Sequence, residues 1–115
     1  MITPTADTSS ESLESYVQLI KDMKAVPVIM DYKEHDYTVA AISHVPHLIA
    51  AGLTRTVKTN DDDEKHMHLL AAGGFRDTTR IAASSPEMWS QICNSNKDSI
   101  CIFLDKFIEE MHNIR

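Results

Sequence analysis

Several small groups of residues have types and spacings that can do chemistry. His44 and His47 stand three apart around Pro46, which puts both rings near one side of a helix while the proline frees a backbone carbonyl. Two imidazoles at such a break can form a polar site. The same spacing equally suits one buried, hydrogen-bonded histidine beside an exposed one. Metal binding by this pair lacks a third ligand at a diagnostic spacing, and His66 and His68 point to opposite sides of a helix. Arg76 and Arg80, four apart and preceded by Gly73-Gly74, can grip a carboxylate in bidentate fashion while Asp77 orients a guanidinium. That arrangement suits a small dianion; the alternative is a salt-bridged surface loop after a helix end. Trp89, the only tryptophan, can fill a core or wall a ring-shaped ligand. His35-Asp36 reads either as a site pair or as acidic preference at a helix start.

The elements that must position these residues follow from periodicity. Residues 2–5 and 26–30 are β-branched, proline-marked runs that read as short strands, the second an edge strand. Between them Thr8 and Glu11 fit a capping box, and Leu13, Tyr16, Val17, Ile20 and Met23 recur at helical spacing up to Lys24. A long helix is expected over 34–59, bent or locally opened at Pro46, with Val39, Ile42, Val45, Ile49 and Leu53 on one stripe. The Asp61-Asp62-Asp63 turn can cap a helix over about 62–72 that Gly73-Gly74 ends, with an irregular polar stretch over 75–84. Ser85-Pro86-Glu87 restarts a helix with a cap and a Pro at N1, and 95–113 carries a broad apolar face through Ile100, Phe103, Leu104, Phe107, Ile108 and Met111.

Composition narrows the partners. The 115 residues are one ordinary domain's worth, 43% hydrophobic and 24% charged, with a formal charge of −6. That charge disfavours nucleic acid and anionic membrane surfaces, and no stretch reads as transmembrane. Three glycines, two of them adjacent, cannot write a dinucleotide or NTP phosphate loop. Cys93 and Cys101 form no C-x-x-C, no secretory leader is seen, and the expectation is a reduced, cytoplasmic setting with both thiols in the core.

Taken in order, Glu34-His35-Asp36, the run 42–48 containing Ser43-His44-Val45-Pro46-His47, the run 71–82 containing Gly73-Gly74-Phe75-Arg76-Asp77-Thr78-Thr79-Arg80, and Ser85-Pro86-Glu87-Met88-Trp89 resemble the C-terminal part of prephenate dehydrogenases. The resemblance spans nearly the whole chain. It implies a mainly α fold: a helical, bundle-like dimerisation and substrate-binding domain over 31–115, preceded by a short β-α-β remnant of a Rossmann-type nucleotide-binding domain over 1–30. It also implies oxidative decarboxylation of prephenate to 4-hydroxyphenylpyruvate with NAD or NADP in tyrosine biosynthesis, and a homodimer formed through the helical domain. By the family pattern Arg80 binds a substrate carboxylate and His47 contacts substrate. Arg76, Asp77 and Trp89 complete the pocket, some from the partner subunit, with His44, His35 and Asp36 close by. The dinucleotide loop and catalytic histidine of the family have no counterpart here, so this chain is expected to bind no cofactor and to be inactive alone. The alternatives are an arogenate dehydrogenase fragment and a stand-alone helical dimerisation module.

Overall fold

A computed structural model describes residues 1–115, which divide into two compact units, Met1–Thr38 and Val39–Arg115. The first is built on helix α1 (Ser10–Asp22). Its start lies one residue beyond the expected box: Thr8 closes a turn with Thr5, and Ser9 is the cap, its hydroxyl accepting the Ser12 N–H at 3.1 Å. The helix ends with Lys24 in the left-handed region (φ 61), so that the Ala25 N–H reaches the Ile20 carbonyl and the Lys24 N–H that of Lys21.

The expected β-α-β remnant is not formed. Residues 2–5 and 26–30 meet only in an isolated parallel bridge, Ile2 with Ile29, through Ile2 N–H to Val28 carbonyl (2.8 Å) and Met30 N–H to Ile2 carbonyl (3.2 Å). Two short parallel segments without a further neighbouring strand have too few ladder bonds to propagate, so strand propensity here yields a contact and not a sheet.

Helix α2 (Tyr32–Val39) starts at Asp31, whose carboxylate accepts the Lys33 N–H at 2.8 Å. It runs into a π-helical turn, Ala40–His44, and then α3 (Val45–Asn60). The opening expected at Pro46 is this widened turn. Proline offers no N–H and its ring would crowd the Ile42 carbonyl; letting the Val45 N–H reach back five residues to Ala40 makes room without breaking the helical path.

After α3 the structure departs from the expected helix over 62–72. Only one turn forms, α4 (His66–Leu69), behind Lys65 in the left-handed region. Asp61 accepts the N–H groups of Met67 and His68, and Asp62 that of His66, so the acidic run serves as caps. Gly73-Gly74 does not end a helix; it opens α5 (Gly73–Thr79), which continues into a 3-10 turn over Arg80–Ala82 where an irregular stretch was expected. No glycine has positive φ. α6 (Pro86–Ser95) begins as expected, with Ser85 accepting the Met88 N–H, and α7 (Lys97–Ile114) follows.

The core lies where α7 crosses the π turn and α3. Ala40, Val45 and Ile100 are buried, and Leu48, Ile49, Cys93, Phe103 and Leu104 pack around them. Cys93 is half-buried but Cys101 is exposed, against the expectation of two core thiols. The core is thin for the chain's length. The protein exposes 9046 Å², whereas two fully separate compact bodies of these lengths would together expose about 7,500 Å². Apolar side chains contribute to that surface: Ile102, Ile108, Met111 and Ile114 of α7 and Met88 of α6 are all exposed.

Candidate functional site

The π turn, α3, the 3-10 turn and α6 come together around a cleft of about 520 Å³ lined by Ile42, Ser43, Pro46, His47, Arg80, Ile81, Ala83, Ser84 and Trp89. That volume is in the range of small-molecule sites. Pro46 places His47 as the third residue of α3, and α6, started by Ser85 and Pro86, delivers Trp89 one turn later. The two rings stack with centroids 3.5 Å apart and planes 4° from parallel. Ring pairs generally prefer offset or edge-on geometry at larger separations.

His47 is 6% exposed, and its Nδ1 and the indole Nε1 of Trp89 are buried without a hydrogen-bond partner in the chain. Buried polar groups are otherwise almost always satisfied, so such atoms mark a place where something else binds or presses. His44 stands behind the stack, edge-on to Trp89 at 6.0 Å and 86°, and its Nδ1 lies 3.3 Å from the side-chain amide nitrogen of Asn96. The expected alternative of one buried and one exposed histidine is thus half met: His47 is buried, His44 half-buried, and both touch Trp89.

Arg80 is exposed at the cleft and forms no ion pair with any carboxylate of the chain. It is free to meet an anion. Arg76 and Asp77 are exposed on α5 and do not line this cleft, and Asp77 does not pair with either guanidinium. His35 and Asp36 lie on α2 in the first unit, joined by a 2.9 Å Nδ1 to Oδ1 contact. The structure therefore assembles His47, Trp89 and Arg80, with His44 behind them. Sequence reasoning missed Asn96, a buried residue at the α6–α7 junction whose only sequence signal was an amide at a helix break.

The sequence profile described as "Prephenate dehydrogenase, dimerization domain" matches residues 31–115. The chain belongs to this prephenate dehydrogenase family. The prephenate dehydrogenase of Bacillus subtilis (strain 168) is 40% identical over 115 residues, the whole of this chain and 31% of that protein. A crystal structure of prephenate dehydrogenase from A. aeolicus, in complex with hydroxyphenyl propionate and NAD+, superposes with a TM-score of 0.88 at 32% identity, covering 96% of this chain and 39% of that one. Synechocystis arogenate dehydrogenase superposes with a TM-score of 0.85 at 26% identity, covering 96% and 41%. The chain thus spans about a third of the length of the curated relative, and the matches lie in the C-terminal part of such proteins.

Gly52, Gly73 and Gly74 all sit in helices with negative φ, so no glycine turn presents backbone N–H groups to a pyrophosphate. No helix is long and apolar enough to cross a membrane.

Proposed function

We propose that the chain is the substrate-binding and dimerising helical part of an NAD(P)-dependent prephenate dehydrogenase, which oxidatively decarboxylates prephenate to 4-hydroxyphenylpyruvate in the cytoplasm. The observation that carries this reading is the cleft in which the stacked rings of His47 and Trp89, each with a buried unpartnered nitrogen, lie beside the unpaired Arg80. In the reaction a hydride leaves the ring carbon that bears the hydroxyl, CO₂ leaves the opposite carbon, and the ring becomes aromatic. When bound, NAD(P) takes the hydride. The residues of this chain contribute position: Arg80 holds a carboxylate of the dianion, Ile42, Pro46 and Ile81 offer apolar surface to the ring, and His47 supplies a polar contact.

Arg76 and Asp77, outside this cleft, complete the pocket of the partner subunit, and His35 and Asp36 are assigned to the substrate region by family pattern alone. Residues 1–30 correspond to the edge of the nucleotide-binding domain and 31–115 to the dimerisation domain. The homodimer forms through the exposed apolar face of α7, which answers the excess surface. These 115 residues by themselves do not turn over substrate, because they do not fit the dinucleotide.

Calorimetry with 4-hydroxyphenylpyruvate tests the site. Weak binding abolished in Arg80→Ala is expected, since a carboxylate would lose its charge-assisted hydrogen bonds; no binding to the unaltered chain at millimolar ligand would overturn it. Likeness to an arogenate dehydrogenase supports a second reading, and the same titration with arogenate beside prephenate ranks the two substrates. Ile108→Asp, on that exposed face, tests the dimer: light scattering should show loss of dimer mass, and an unchanged mass would exclude this face of α7 from the interface.

A further inference from the structure

We infer that Asn96 is the positioning residue of this cleft: its amide fixes His44 as the Nε2–H tautomer, and His44, edge-on to Trp89, keeps the indole face to face with His47. Three observations carry this. First, the near-parallel His47–Trp89 stack is a less favoured geometry for a ring pair, so contacts outside the pair contribute to holding it. The edge-on His44–Trp89 contact is a geometry that ring quadrupoles do favour, and it leans on the same indole.

Second, Asn96 occupies the N-cap of α7, where an asparagine side chain would ordinarily accept a hydrogen bond from the first turn, yet it makes no such bond. Its backbone serves both helices, with its N–H on the Ile92 carbonyl and its carbonyl receiving the Ile100 N–H. The side chain is turned instead to His44, 52 residues away in sequence, at 3.3 Å. Asn96 is 8% exposed, so this contact is shielded from water.

Third, the chemistry is directional. The atom of Asn96 that faces His44 is Nδ2, which can only donate; His44 Nδ1 must therefore accept, leaving the ring proton on Nε2. The bearing of this on ligand binding rests on the proposed function; its bearing on the rings does not.

Trp89 is the only tryptophan, so its near-ultraviolet dichroism and emission report the stack, while nitrogen-15 NMR of the His44 imidazole reports its tautomer. In the unaltered chain His44 is expected as the Nε2–H form. Asn96→Asp offers only acceptor oxygens and should invert the tautomer to Nδ1–H while keeping the Trp89 dichroic band. Asn96→Ala should lose both the single tautomer and most of that band, with helix content unchanged in the far ultraviolet, and should weaken 4-hydroxyphenylpyruvate binding by about tenfold. An unchanged tautomer in Asn96→Asp would overturn the inference, and that variant decides it even if Asn96→Ala does not fold. So would an Asn96→Ala protein with the Trp89 band intact. Failure of the unaltered chain to bind 4-hydroxyphenylpyruvate would count against the proposed function, while the tautomer and the Trp89 band would still judge Asn96.

Discussion

Helices α1 and α7 carry the same kind of apolar stripe and meet different fates. On α7, Ile100 is buried and Phe103 and Leu104 are half-buried, because the π turn and α3 present Ala40, Val45 and Leu48 to them. On α1 no residue is buried, and Tyr16 and Leu19 are 56% and 53% exposed. Periodicity states that a face is fit to be covered; it does not state by what. The Val39–Arg115 unit answers part of its own pattern, whereas the Met1–Thr38 unit holds together through caps, a left-handed helix end and one parallel bridge.

One truncation in each unit separates a packed stripe from an exposed one. Ile100→Ala removes a buried side chain from the centre of the core and should cost about 2–5 kcal/mol. Val17→Ala on α1 deletes a half-buried group and should cost about 1 kcal/mol or less. Urea denaturation followed by circular dichroism measures both. Equal losses would mean that the two stripes are equally covered in solution.

The same contrast explains what was legible in the sequence. Features set by local stereochemistry could be read: the Ser85-Pro86 start of α6, the opening before Pro46 and the apolar face of α7 each depend on residues within a turn or two. Features set by distant chain could not. Residues 2–5 and 26–30 have strand propensity, but a strand needs neighbours that propensity does not supply. In the site, the residue types His47, Arg80 and Trp89 were recognisable together through a family resemblance, while Asn96 was not, since its partner lies 52 residues away. Arg76 was grouped with Arg80 by spacing; the cleft separates them because α5 ends between the two and Arg80 begins the 3-10 turn.

The glycines stand where this chain's backbone does not require them. Lys24 adopts φ 61 at the end of α1, the conformation for which glycine is favoured, while Gly73 lies in α5 with negative φ and nothing within 4 Å of where a Cβ would be. Lys24→Gly should stabilise the first unit by relieving left-handed strain, and Gly73→Ala the second by about 0.4–1 kcal/mol through the unfolded chain's entropy. Thermal melts of the two variants check the signs. Destabilisation by Gly73→Ala would mean that a second subunit approaches the start of α5 closely.

The smallest effect concerns the segment of the larger unit that most resembles the smaller one, the turn before α4, which is held by polar caps and buries no residue. The Asp62 carboxyl is held below its ordinary value, first by the His66 backbone N–H and then by the His66 imidazole, whose Nδ1 lies 2.6 Å from Oδ2. A carboxylate whose value is lowered on folding contributes stability that is complete above its unfolded-state value and disappears as pH falls through the folded one. The side chain is exposed, so the contribution is local and screened by salt. Amide hydrogen exchange at residues 66–69 should therefore be slower than in Asp62→Ala at neutral pH, and the difference should close on acidification below the carboxylate range. The apolar core around Ile100 should show no matching change over that window. If Ile100 and its neighbours loosened together with α4, this turn would be part of the core's cooperative unit, and the line between capped and packed regions would have to be drawn elsewhere.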